Sequence, residues 1–188
     1  MKITINGQTV CELSEIQKKV IQNDISSDIF ESDMIRRLSW TVDHPCSQCH
    51  DTNKKSWNDI LKSKGVKSAP VEKVALAEEV FKHIPCDLPP DQEKDLSVDI
   101  DGREVFKVPP TQKRMLVLHG KKDPDQYCHS QMAWILTHKY ERCMERLRRE
   151  WEPKLTDRGS ATLPTDDDEF ATLVFSQTDY KNRSQREA

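Results

Sequence analysis

Apolar positions along the chain change period in the same order twice. Lys2-Ile3-Thr4-Ile5 alternates polar with apolar, stops at Asn6-Gly7, and resumes from Gln8 to Leu13. Ser97-Val98-Asp99-Ile100 does the same, stops at Asp101-Gly102, and resumes from Arg103 to Val108. Alternation is the period of a half-buried strand, and Asn-Gly and Asp-Gly supply the positive φ angles of a type I′ turn. Two β-hairpins are therefore predicted. A lone hairpin is marginal in water, so the two should pair, or each should lie on a helix.

Helical periods follow each hairpin. Ser14 and Gln17 form a capping box, and Ile16, Val20 and Ile21 share a face, which predicts a short helix over Ser14–Asn23. In the second half Pro109-Pro110 precedes Thr111–His119, where a strand over Met115 to Leu118 is the alternative to a helix. A long helix comes next. Asp123 caps it, Pro124 occupies its first turn, and Cys128, Met132, Ile135, Leu136, Tyr140, Cys143, Met144, Leu147 and Trp151 recur at spacings of three and four. Pro153 is expected to end it. In the first half Phe30, Met34, Leu38, Val42, Cys49 and Trp57 hold related positions, and Pro45 is expected to kink or break the run.

Each half then has a glycine-containing linker, at Gly65 or Gly159, and a last helix after Pro70 or Pro164. Its apolar positions are Val74, Ala77, Val80, Phe81 and Ile84 in one half, and Phe170, Ala171, Val174 and Phe175 in the other. Asp166, Asp167 and Asp168 fall in its first turn, where carboxylates suit the helix dipole; a metal cluster is the less economical alternative. Asp87–Asp95, with Pro89-Pro90, reads as a linker, and the polar tail Thr178–Ala188 as peripheral.

The recurrence extends to identities. The four tryptophans form two pairs, Trp40 with Trp57 and Trp134 with Trp151, shifted by 94 residues. His44 and His138, Cys49 and Cys143, Gly65 and Gly159, and Pro70 and Pro164 share that offset. Near the N-terminus it becomes 95, aligning Ile5-Asn6-Gly7 with Ile100-Asp101-Gly102. The expected fold class is α+β, mainly helical: two tandem similar units, residues 1–94 and 95–188, each a β-hairpin followed by amphipathic helices. Each unit is small for an independent core, so the two should pack together like a fused homodimer.

Charged residues are 32% of the chain, mean hydropathy is −0.78 and net charge is −3. That balance gives no overall pull toward nucleic acid or a membrane surface. No apolar run approaches bilayer length. Met1 to Ile5 alternates and meets a turn, so it does not read as a signal peptide, and a cytoplasmic site of synthesis is expected. In that compartment disulfides are rare, so the six cysteines read as thiols or metal ligands.

Cys46-Ser47-Gln48-Cys49-His50 matches the c-type haem attachment pattern C-x-x-C-H. Covalent haem attachment needs export, and the offset of 94 aligns this stretch with the plain helical segment Tyr140 to Met144. Zinc is the stronger cofactor reading: Cys46 and Cys49 could grip one ion, with Cys86, Cys128, His129, His44 or His50 completing the four ligands of a structural site. The competing account is small thiols filling a helical core. Cys86, three residues from His83, is a candidate free thiol. Lys139, Arg142, Arg146 and Arg149 form a basic stripe, but Glu141, Glu145 and Glu150 interleave, and Glu145 with Arg149 suits an i,i+4 ion pair. No phosphate-binding glycine loop, G-x-S-x-G or H-E-x-x-H is present.

The stretch Trp134 to Trp151, Phe170 to Gln177, and the tail Tyr180 to Arg186 resemble small structural and assembly proteins of tailed bacteriophages. The similarity covers the first forty residues and the helices of the second half; the first half's central helix, with Pro45 and the C-x-x-C-H, departs from it. The resemblance implies a virion or assembly component and transfers no catalytic residue. The functional expectation is a non-enzymatic structural or protein-interaction component. Its partners would be other assembly proteins or further copies of itself, with nucleic acid and membrane disfavoured. The alternative is a zinc-binding module centred on Cys46 and Cys49.

Overall fold

A computed structural model describes residues 1–160 and 162–177; the tail from Thr178 onward, including its share of the phage resemblance, lies outside the described residues. The protein is α+β and mainly helical. The first half runs β1 (Lys2–Ile5), β2 (Gln8–Glu12), α1 (Glu15–Asp24), α2 (Phe30–Ser63) and α3 (Lys73–Phe81). The second runs β3 (Leu96–Ile100), β4 (Arg103–Val108), α4 (Pro110–Leu118), α5 (Pro124–Asp157) and α6 (Asp167–Gln177). Single turns of 3₁₀ helix at Ser27–Ile29 and Pro90–Gln92 lead into α2 and β3.

The hairpins pair with each other. The sheet order is β2-β1-β3-β4, antiparallel throughout, with β1 and β3 at its centre. Asn6, Gly7, Asp101 and Gly102 all have positive φ, at 49°, 77°, 50° and 79°, as a type I′ turn requires. The central ladder matches Ile3 with Ile100, Thr4 with Asp99 and Ile5 with Val98. Exchanging each residue for the one 95 positions away maps this ladder onto itself.

The hydrogen bonds around it follow the same exchange. Asn6 N–H donates to the Ser97 carbonyl and Asp101 N–H to the Lys2 carbonyl, both at 2.9 Å. In return Ser97 N–H donates to Asn6 Oδ1 at 2.9 Å, and Lys2 N–H to Asp101 Oδ1 at 2.7 Å. The two turn residues thus do double duty: they accept positive φ, and their side chains satisfy donors on the strand opposite.

The short helices cross over. α1 packs on α5 and α6 while α4 packs on α2 and α3, and β2 lies against α5 as β4 lies against α2. Each half's hairpin and short helix therefore rest on the long helix of the other half. α1 carries the expected capping box, with Gln17 N–H on Ser14 Oγ and Ser14 N–H on Gln17 Oε1. α4 is a helix, so the strand reading of Met115 to Leu118 is wrong; Met115 and Leu116 are adjacent and both fully buried, between α2, α3 and α5.

The long helices α2 and α5 each span 34 residues, about 51 Å at helical rise, and their bounds are 94 apart. Buried residues coincide at that offset: Phe30 and Pro124, Met34 and Cys128, Leu38 and Met132, Val42 and Leu136, Cys49 and Cys143, His50 and Met144, Leu61 and Leu155. Both helices end alike. Gly65 and Gly159 take φ of 81° and 88°, and the residue after each donates back to the Leu61 or Leu155 carbonyl. That is the Schellman closure, which needs a residue free to adopt left-handed geometry.

Neither proline breaks its helix. α2 runs unbroken through Pro45, and α5 runs through Pro153 to Asp157. An interior proline costs about 3 kcal/mol. Burial of Met34, Leu38 and Val42 before Pro45 and Leu61 after it outweighs that, at roughly 1.5–3 kcal/mol per large apolar side chain. Leu155, fully buried two residues past Pro153, holds α5 in register in the same way.

The acidic triplet closes α6 onto its neighbours. Asp166 Oδ1 accepts from Glu169 N–H. Asp167 pairs with Arg148 at 2.7 Å, and Arg148 also donates to the Pro164 and Thr165 carbonyls and lies over the Phe170 ring. Asp168 accepts from the Tyr140 hydroxyl at 2.6 Å and from Gln17. All three carboxylates are engaged as caps and clamps. The Asp87–Asp95 linker is held by Lys113, 1% exposed, whose ammonium lies 2.8 Å from Asp125 Oδ1 and donates to the Gln92 carbonyl at 3.2 Å.

Because β1 and β3 complete each other, a fragment of residues 1–94 is expected to lack a cooperative unfolding transition followed by circular dichroism. Ile3→Ala in the whole chain, at a fully buried seam position, should lower stability by about 2–5 kcal/mol in urea titration. A cooperative, native-like fragment, or a neutral Ile3→Ala, would contradict the central role of this ladder.

Candidate functional site

The cysteines singled out by spacing sit on three different parts of the chain, near enough to raise one another's thiols. Cys46 and Cys49 lie on α2 and Cys128 on α5, all in the core; Cys86 follows α3 and is half-buried. Cys46 Sγ contacts the Gln112 carbonyl of α4 at 3.7 Å, and Cys86 Sγ the Arg114 carbonyl at 3.8 Å. Cys49 Sγ accepts from Asn53 Nδ2 at 3.6 Å. All six thiols are free. Among the described residues no group of three or more His, Cys, Asp or Glu side chains is placed to hold a metal ion.

Burial shapes the chemistry of these thiols. Desolvation, with lesser repulsion from nearby groups, pushes Cys46 and Cys128 up to about 12. Cys143, which is buried and donates to Asp24 Oδ2 at 3.1 Å, is pushed up to about 11. Desolvation also raises Cys49, and it raises Cys86 despite the neighbouring Arg114 cation. A nucleophilic cysteine needs the opposite shift. His50 packs edge-on against Trp57, with ring centroids 6.4 Å apart, and its Nδ1 lies 3.1 Å from Asp51. The C-x-x-C-H segment is thus one buried face of a helix.

The feature that stands apart is at the surface, where α2 and α5 run side by side. Trp57 is buried and Trp151 half-buried, but Trp40 and Trp134 are 52% and 55% exposed. Helical geometry puts Trp40 about 200° around the axis from the buried Leu38. Each exposed indole is backed by the histidine one turn on. Trp40 stacks on His44 with centroids 4.6 Å apart and planes at 14°, and Trp134 on His138 at 4.8 Å and 10°. The imidazole covers one face of each indole and leaves the rest outward.

Together they line a cleft of about 320 Å³ with Arg36, Arg37, Ile135, His138, Lys139 and Arg142. The lining lies on the N-terminal side of Trp40 and the C-terminal side of Trp134. Asp33 holds Arg36 and Arg37 through its two oxygens, at 2.5 and 2.6 Å, and those guanidiniums keep its carboxyl below the usual range despite desolvation. Lys139 and Arg142 have no hydrogen-bond or ion-pair partner among the described residues. At positions 94 away stand Ser130, Gln131, Pro45 and Gln48, all uncharged, so the cations gather at one end only.

The basic stripe therefore divides. Lys139 and Arg142 face the cleft, whereas Arg146 is bound to Asp24 at 2.6 Å. The Glu145–Arg149 pair suggested by spacing does not form among the described residues; the pairs on that stretch are Arg148 with Glu152 and Lys154 with Glu150. The cleft itself was missed in the sequence, although Trp-x-x-x-His at the same offset in both halves was its signal. Comparison with protein-family models, with curated proteins and with solved structures finds no match.

Thiol burial has a direct readout. Cys86 and Cys11 are expected to react first with an aromatic disulfide reagent at pH 8, and the four buried thiols only after unfolding. The raised thiols also set an alkaline limit. An unfolded cysteine ionises near 9.0, while folded Cys46 and Cys128 hold their protons to about 12. Their contribution is therefore complete below pH 9 and is lost as pH rises from about 9 to 12, because only the unfolded chain releases those protons. A Cys46→Ala, Cys128→Ala double variant should show a shallower fall of stability over that range in urea titrations.

Proposed function

We propose that this chain is a non-enzymatic structural or protein-interaction component of a phage particle or of its assembly, built as two tandem copies of one hairpin-and-helices unit. The observation that carries the interaction reading is the pair of half-exposed tryptophans set together across the α2–α5 seam. Their uncovered parts amount to on the order of 200 Å² of ring surface. Covering that area would contribute on the order of 5 kcal/mol before the costs of association. Tryptophan and arginine are the residues that most often dominate protein interfaces. Here both sit on two 34-residue helices rather than on loops, so the partner would meet a rigid surface.

The repeat reading is supported by the self-mapping β1–β3 ladder, the equal long helices, the matched glycine closures and the two Trp–His stacks. The phage assignment rests on the resemblance of the Trp134 to Trp151 and Phe170 to Gln177 stretches.

Size-exclusion chromatography and cross-linking in the presence of virion proteins test the reading. Trp40→Ala with Trp134→Ala should abolish co-elution while changing stability by no more than about 1 kcal/mol, since neither side chain is in the core. A chain that stays free of every virion protein would count against it. So would a double variant that still binds.

A further inference from the structure

We infer, resting on the reading of the Trp40–Trp134 cleft as a protein-docking site, that its partner is an acidic segment of another protein. It would place a large apolar side chain against the two indoles and carboxylates against Lys139 and Arg142. The argument is charge complementarity. Four cations line the cleft; Asp33 neutralises part of two of them and Glu141 lies 3.7 Å from the lining His138, so cations still outnumber carboxylates there in a chain of net charge −3. Two of those cations, Lys139 and Arg142, are unpaired among the described residues, one turn apart on α5. A guanidinium beside an indole is a ready donor to a carboxylate, which accepts through both oxygens, and the bidentate geometry adds direction.

Other occupants fit less well. A second copy of the chain docked through the same cleft would bring two such cation groups together. A nucleic acid strand needs a continuous cationic track, because affinity rises with the number of phosphates neutralised. Here the track stops after Arg142: Glu141 and Glu145 are exposed beside it, and Arg146 is committed to Asp24. Two free cations hold a short carboxylate pair, not a polyanion. The apolar half of the requirement comes from the indoles, which present ring faces and edges that a large apolar side chain would cover.

The test is a selection from a displayed random dodecapeptide library on the whole chain, with Trp40→Ala, Trp134→Ala protein as counter-target. Melting curves check that the variants are folded. Peptides lost on the counter-target are expected to share one large apolar residue flanked by Asp or Glu. The strongest, fluorescein-labelled, should bind at least tenfold more weakly to Lys139→Gln, Arg142→Gln protein by anisotropy, while labelled dodecathymidylate should bind neither protein. A neutral or basic consensus that still depends on the tryptophans would overturn the acidic partner and leave a docking site in place. Dodecathymidylate binding that is lost in the Lys139→Gln, Arg142→Gln variant would overturn it in favour of nucleic acid. If no peptide depends on Trp40 and Trp134, both the inference and the docking reading fall.

Discussion

The antiparallel pairing of β1 with β3 is the constraint from which the rest of the architecture follows. Each hairpin alone would expose an unpaired inner edge. Joining them produces four strands whose inner face carries Ile3, Ile5, Val98 and Ile100, all buried. The ladder also sets where the following chain must go. β2 and β4 lie at opposite edges of the sheet, so α1 and α4 leave from opposite ends and meet the long helix of the other half. The crossing makes each half incomplete without the other. α2 would lose α4 and β4, and α5 would lose α1 and β2.

This crossing gives the cleft its rigidity. The buried faces of α2 and α5 are tied down along most of their length by the sheet, the short helices and each other. Their outward faces are then free to differ, because a surface residue is not answerable to packing. The two halves agree at core positions, at glycine closures and at the Trp–His stacks. They differ in the charges beside those stacks, with Arg36, Arg37, Lys139 and Arg142 gathered at one end of the seam. The halves thus agree where packing constrains the residue type and differ where it does not.

The C-x-x-C-H segment shows why a motif needs its context. Cys46, Cys49 and His50 fall on the inward side of a helix, where a thiol is a small apolar filler and desolvation holds it protonated. Pro45 beside them suggested a kink or a break, yet a proline removes one hydrogen bond and buried side chains on both sides keep the helix continuous. Lys113 makes the complementary point. In the sequence it belongs to a polar stretch; in the structure it is one of the most deeply buried side chains and ties the Asp87–Asp95 linker to Asp125.

Local chemistry was legible in the sequence. The Asn-Gly and Asp-Gly turns, the Ser14–Gln17 capping box, the Asp123 cap with Pro124, and the glycines past the long helices all act within a few residues, so their residue types alone specify them. Periodicity likewise placed every long amphipathic run. Tertiary structure decided whatever depends on residues distant in the chain. It settled that Met115 to Leu118 is helical, that Pro45 and Pro153 are tolerated, and that α1 and α4 change partners. It also brought two tryptophans 94 residues apart into one cleft. Exposure is a property of packing rather than of residue type, and so the sequence recorded that Trp40 and Trp134 correspond but not that they face outward together.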